Sequence, residues 1–137
     1  MLASVRILPV LAAAAAAFVL GAVWYSPLLF GKAWLKAHAY TDEKIAAMRA
    51  TAPRAYAVTF LCYVVIGAAM SVLLHRVGIV SGLTGIKVGS LLGLGIAAPL
   101  GLTANLYSDA PLSAWGIDAG HQIVMLTLMG AILAAWG

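Results

Sequence analysis

Charged residues are rare along the chain, and long apolar stretches lie between them. Four of these stretches are long enough to cross a membrane, which requires about 20 apolar residues for a helix. We predict transmembrane helices at about residues 7–29, 55–75, 84–106 and 116–136. The stretches lack the alternation of polar and apolar residues that is typical of a membrane β-barrel. The pattern therefore predicts an all-α membrane protein, with four transmembrane helices in a single domain over residues 1–137.

The connection between the first and second predicted helices, residues 30–54, is the only long one and carries helical signals of its own. Phe30 and Trp34 are four residues apart, so on a helix they share one face, as in a segment that lies at the membrane interface. Thr41 is suited to cap a second short helix, which we expect to end before Pro53. We therefore predict a short interfacial helical segment between helices one and two.

Composition agrees with a membrane protein. The chain has 137 residues, of which 64% are hydrophobic and 9% charged, whereas soluble domains are about 45–50% apolar and about 25% charged. A soluble fold of this size cannot bury so much apolar surface. We assign the formal net charge of +4 to loops that set the membrane orientation. Composition excludes an ordinary soluble enzyme, a disordered tail and a nucleic-acid-binding module, and it makes the lipid bilayer the expected partner.

The distribution of positive charge favours one orientation in the membrane. The long connection carries five positively charged residues. The side of the membrane away from the long connection carries Arg6, Arg76 and Lys87, together with the N-terminal amine. Because loops rich in Lys and Arg stay in the cytoplasm, we expect the long connection there and both termini outside. The first apolar stretch is longer than the roughly 7–15 residues of a signal-peptide core, so we expect it to be retained. The positive residues of the long connection are Lys32, Lys36, Lys44, Arg49 and Arg54.

Motifs for metals, nucleotides and catalysis are missing from the sequence. The single cysteine, Cys62, cannot form an internal disulfide and matches no metal-site spacing. The sequence has no Gly-x-Ser-x-Gly motif and no phosphate-binding loop. The glycine-rich run Gly89–Gly95 lies inside an apolar stretch rather than between a strand and a helix. We therefore expect no enzyme activity, no metal and no cofactor.

Glycine recurs at every fourth position in the third predicted helix, at Gly85, Gly89 and Gly93. Such a face lets the backbone of a neighbouring helix approach closely. The neighbour can belong to the same bundle or to a second copy of the chain. For the function, the leading hypothesis is that the protein acts through helix contacts, as a homo-oligomer or an accessory subunit. We also expect Pro99 to remove a backbone hydrogen bond and to kink this helix.

Polar side chains gather on the side of the membrane where the long connection lies. Successive helices run in opposite directions, so the end of one predicted helix and the start of the next share a side, and the polar residues lie at such ends. Asp118 and His121 are three residues apart and share a helical face, which Gln122 joins. Ionisable groups within a membrane span are costly and suggest a function. The predicted polar cluster comprises Ser26, Asn105, Tyr107, Asp118, His121 and Gln122.

Two roles are open for this cluster. In the first, Asn105 and Tyr107 bond to Asp118 and His121 across helices, and the cluster holds the structure together. In the second, Asp118 and His121 relay protons or bind a small solute, and the protein is a small transporter or channel. The sequence alone does not choose between the two roles.

Residues 21–34, Gly-Ala-Val-Trp-Tyr-Ser-Pro-Leu-Leu-Phe-Gly-Lys-Ala-Trp, resemble the opening signature of a bacterial membrane family known as domain of unknown function 1761. Residues 118–122 and 129–136 are similar to the ending of that family. The resemblance covers nearly the whole chain. It implies a small multi-pass protein of the bacterial inner membrane, and it implies no particular activity.

Overall fold

The computed structural model describes residues 5–136, and the helices in this part of the chain confirm the all-α prediction. The N-terminal amine, counted above as a positive charge, lies outside the described residues. The third long helix consists of two α-helical parts and a π-helical turn between them. In chain order the elements are α1 (Ile7–Trp24), α2 (Gly31–His38), α3 (Asp42–Ala50), α4 (Ala52–Val77), α5 (Gly82–Leu92), the π-helical turn (Gly93–Ala97), α6 (Ala98–Tyr107) and α7 (Leu112–Trp136).

Four helices of the described region are long and apolar enough to cross a membrane, as predicted. The first ends at Trp24 rather than near residue 29. Pro27 disfavours a helical conformation at Ser26, and the chain turns there. The second begins at Ala52, earlier than predicted, because Pro53 is tolerated in a first turn, where its missing N–H is not needed.

The long connection forms the two short helices α2 and α3, so the predicted helical segment is present. The Thr41 side chain accepts a 3.1 Å hydrogen bond from the backbone N–H of Lys44 and caps α3. This helix ends at Ala50, before Pro53, as predicted. None of its described residues is buried, and it packs on α4.

The last helix, α7, is central and packs against α1, α4, α5 and α6. It runs antiparallel to α1, since Arg6 donates to the Trp136 carbonyl at one end and Trp24 donates to the Ile117 carbonyl at the other. The alanines of α1 at the core have no exposed surface, so the two helices approach closely. The buried core comprises Val10, Ala13, Ala17, Met70, Leu74, Met125, Leu126, Met129, Leu133 and Ala134.

The glycine face of the third span lies directly against α7 of the same chain. A Cβ atom at Gly85 would collide with the carbonyl oxygen of Gly130, and one at Gly89 with the carbonyl oxygen of Leu126. A Cβ at Gly93 would lie 2.7 Å from the Cα of Ile123. The predicted close approach is therefore an intramolecular one in this structure.

A π-helical turn lies directly before α6, close to Pro99, and the kink predicted at Pro99 itself stays a prediction. Pro99 lies in the first turn of α6 and has no N–H to donate to the preceding turn. A local change to π-helical geometry accommodates such a break in the ladder of hydrogen bonds. The Trp115 indole donates a 3.0 Å hydrogen bond to the Ala98 carbonyl and ties this region to α7.

Candidate functional site

A cleft of about 870 Å³ lies between the long helices α1, α4 and α7 and the short helices α2 and α3. Most of its surface is apolar, as in typical small-molecule sites. It lies on the side of the long connection, where the sequence places most of the polar side chains. Its aromatic lining residues are Phe18, Tyr25, Trp34, Tyr56 and Tyr63, and its polar ones are Ser26, Arg49, Thr51, Thr59 and Asp118.

Tyr25 and Asp118 form a hydrogen bond in the wall of this cleft. Tyr25 follows the last residue of α1, and its hydroxyl donates to Oδ1 of Asp118, in the second turn of α7, at 2.5 Å. Burial raises the pKa of Tyr25 above its ordinary value, and the neighbouring Asp118 carboxylate raises it further. The hydroxyl therefore keeps its proton and remains a donor to Asp118.

His121 lies behind the cleft wall and is 4% exposed. Its Nε2 atom has no hydrogen-bond partner among the described residues. Gly21, which lines the cleft, leaves room for the imidazole, because a Cβ there would lie 3.2 Å from Nε2. Aromatic packing holds the ring in place, with centroid distances of 6.1, 5.3 and 6.5 Å to Trp24, Tyr25 and Tyr63.

Asn105 and Tyr107 do not join Asp118 and His121, contrary to the first role considered for the cluster. The Asn105 amide nitrogen donates to the Pro111 carbonyl at 3.1 Å and closes the short loop between α6 and α7. Its Oδ1 atom is buried without a partner among the described residues. Tyr107 is 94% exposed. The predicted bonds across helices are therefore not formed, because the Asn105 amide bonds to the loop and the Tyr107 side chain is exposed.

The two remaining predicted residues lie in different surroundings. The Ser26 hydroxyl lines the cleft, donates to the Val23 carbonyl at 2.7 Å and accepts a 3.3 Å bond from the Leu28 N–H. It therefore shapes the turn after α1. The Gln122 side chain extends toward α6, where its Oε1 lies 3.6 Å from the position of a Cβ at Gly101. The structure thus brings Ser26 and Asp118 to the cleft, with His121 behind them.

Most residues that line the cleft were absent from the predicted cluster, among them Tyr25, Trp34 and Arg49. Tyr25 has a signal in the sequence, because it is adjacent to Ser26 at the end of a span. The spacing of Trp34 from Phe30 predicted an interfacial helix but no cleft, and Arg49 has no signal. Both reach the cleft only through the way α2 and α3 fold against the long helices. Among the described residues, no group of three or more His, Cys, Asp and Glu side chains could hold a metal ion.

A family model described as a protein of unknown function (DUF1761) matches residues 8–134. The match confirms the resemblance seen in the sequence and includes every residue that lines the cleft. Comparisons with curated proteins and with solved structures gave no match.

Proposed function

The chain belongs to the DUF1761 family of proteins of unknown function, and from that premise we propose that it is a small transporter that binds its solute in the cleft. It is a multi-pass membrane protein by its four candidate spans. We place it in the bacterial inner membrane, in the orientation that the positive charges favour. The proposal involves no enzymatic reaction, metal or cofactor.

One observation carries this proposal: Asp118, an ionisable residue of a membrane span, lines a cleft of suitable size. Small-molecule sites have volumes of about 300–1,000 Å³ and combine apolar walls with a few polar groups. The cleft has about 870 Å³ and this kind of lining. An ionisable side chain within a span is costly and is expected to have a function. Protons are the alternative cargo, with Asp118 and the buried His121 as the groups that would carry them.

A large side chain placed in the cleft tests the proposal. Ala55 lines the cleft, and Ala57, two residues later on α4, is exposed and does not line it. Proteoliposomes with wild type, Ala55→Trp or Ala57→Trp are assayed for uptake of labelled benzyltrimethylammonium and benzoate, and for proton movement with trapped pyranine. We expect uptake of at least one of these cargoes by wild type and Ala57→Trp, and its loss in Ala55→Trp. Equal movement of every cargo in the three proteins would overturn the proposal.

A second proposal is that the protein acts through helix contacts, as a homo-oligomer or as an accessory subunit of another membrane protein. The glycine face of α5 is already packed on α7, but Gly116 of α7 is exposed, and a Cβ there would meet nothing within 4 Å. An open backbone of this kind allows a helix of another chain to approach. Native mass spectrometry in mild detergent tests self-association. An oligomer that dissociates in Gly116→Leu supports it, and a monomeric wild type argues against it.

A further inference from the structure

The lining of the cleft has a definite ligand chemistry. We propose that the ligand is a small organic cation with an alkylammonium group, bound by the Asp118 carboxylate and the surrounding aromatic rings. This inference rests on the proposed function of the cleft and specifies its substrate class.

The aromatic side chains form two edge-to-face pairs at the cleft. Phe18 and Tyr56 have ring centroids 6.1 Å apart at an interplanar angle of 90°. Tyr25 and Trp34 have centroids 6.1 Å apart at 81°. The planes of these rings therefore differ in direction, and all four side chains line the cleft. The negative face of an aromatic ring attracts a cation within about 6 Å. Groups of aromatic rings are a recurrent way of binding quaternary ammonium ligands.

The charge of Asp118 is not cancelled by its partner. The Tyr25 hydroxyl is neutral and occupies Oδ1, and Oδ2 has no hydrogen bond from the described residues. Asp118 is half-buried, so water screens its charge less than it would at the surface. A carboxylate in such surroundings attracts a cation, and the cleft provides the space for one.

Arg49 is the only Lys or Arg among the described residues that line the cleft. It lies on the peripheral helix α3 and is exposed, so its charge is more strongly screened than that of Asp118. We expect Arg49 to repel a cationic ligand weakly and Asp118 to attract it more strongly. Removal of the two charges should therefore change affinity in opposite directions, and an anionic ligand would reverse both signs.

The experiment compares three aromatic probes of similar size: benzyltrimethylammonium, benzoate and benzyl alcohol. Each is labelled and measured by equilibrium dialysis against the full chain in phosphatidylglycerol nanodiscs, with Ala55→Trp and Ala57→Trp to identify binding in the cleft. We expect benzyltrimethylammonium to bind most tightly. Asp118→Asn should weaken it about tenfold, and Arg49→Gln should strengthen it about two-fold, as expected for one half-buried and one screened charge. Asp109→Asn, the same change at an exposed loop residue outside the cleft lining, should have no effect.

The outcomes separate this inference from the proposed function. If benzoate or benzyl alcohol binds as tightly as the cation, and this binding is lost in Ala55→Trp, the cation inference is overturned. The proposal that the cleft binds a solute would then still stand. The absence of any Ala55→Trp-sensitive binding or transport would overturn both. Should Asp118→Asn fail to fold, the direction of the Arg49→Gln effect decides, because weaker binding of the cation in that variant contradicts the inference.

A free solute and a lipid headgroup can both supply an alkylammonium group. Repeating the dialysis in two kinds of nanodisc with the same fraction of phosphatidylglycerol distinguishes the two sources, because the anionic surface charge is then equal. The remaining lipid is phosphatidylcholine in one and uncharged digalactosyl diacylglycerol in the other. A large drop in the apparent affinity for benzyltrimethylammonium with phosphatidylcholine would show that choline headgroups compete for the cleft. An unchanged affinity would assign the site to a free cation. Both results support cation chemistry, whereas stronger binding of benzoate in either lipid would contradict it.

Discussion

The Tyr25 hydroxyl donates a 2.5 Å hydrogen bond to Asp118 and joins the residue that follows α1 to the second turn of α7. One residue earlier on each helix, the Trp24 indole donates to the Ile117 carbonyl at 3.1 Å. Both bonds join the end of α1 to the beginning of α7, and the bond between Tyr25 and Asp118 also forms part of the cleft wall. We therefore expect stability and the proposed ligand binding to depend on the same pair of residues.

Tyr25→Phe should lower the free energy of unfolding by about 1–2 kcal/mol, because it removes a hydrogen bond to a carboxylate between two spans. Denaturation in mild detergent measures the change. Tyr56→Phe is the matched control, since Tyr56 lines the same cleft, is 60% exposed and does not bond to Asp118. Equal losses in the two variants would show that the Tyr25 hydroxyl makes no special contribution.

Gly89→Ala should destabilise the protein by about 1–3 kcal/mol, because the added Cβ would collide with the Leu126 carbonyl and force α5 away from α7. Gly95→Ala makes the same change where the added Cβ would lie 3.9 Å from the Leu91 side chain, so it should stabilise the protein by about 0.5–1 kcal/mol. Thermal unfolding of both variants in the same detergent compares the two effects. Effects of the same sign would contradict the helix contact described above.

Ser90→Ala should lower the free energy of unfolding by about 0.6 kcal/mol, the average contribution of a hydrogen bond between membrane helices. The oxygen atoms of Ser90 and Thr127 lie 2.9 Å apart. Thr127 also donates to the Ile123 carbonyl at 2.7 Å, so Ser90 is the donor to Thr127. A double-mutant cycle with Thr127→Val isolates the interaction energy. The same cycle with Thr103→Val in place of Thr127→Val should show no coupling, since Thr103 bonds within its own helix.

The long connection should face the cytoplasm, because it carries most of the positive charge. Single cysteines at position 44 in α3 and position 80 between α4 and α5 report the orientation, in a chain whose Cys62 is replaced by serine. A membrane-impermeant maleimide should label Val80→Cys in intact cells and Lys44→Cys only after permeabilisation. Val80 is 83% exposed, so its side-chain position is accessible to the reagent. The reverse pattern of labelling would place both termini in the cytoplasm.

The sequence by itself determined the number of spans and the local signals along the chain. A membrane helix needs about 20 apolar residues, a requirement that depends on composition alone. The Thr41 cap is equally local, because it joins a side chain to a backbone N–H three residues away. For the same reason, helical spacing placed Asp118 and His121 on one face. Of the predicted polar cluster, these two and Ser26 lie at or beside the cleft.

Only the tertiary structure decided which residues meet across helices. By its spacing, the glycine face of α5 could pack against any neighbouring helix, and in the structure it packs against α7. Tyr25 and Asp118 are far apart in the chain, and their bond depends on the approach of α1 to α7. Arg49 reaches the cleft through the fold of a short helix with no buried residue among those described. Such contacts depend on the relative positions of whole helices, which the spacing of residues along one helix does not determine.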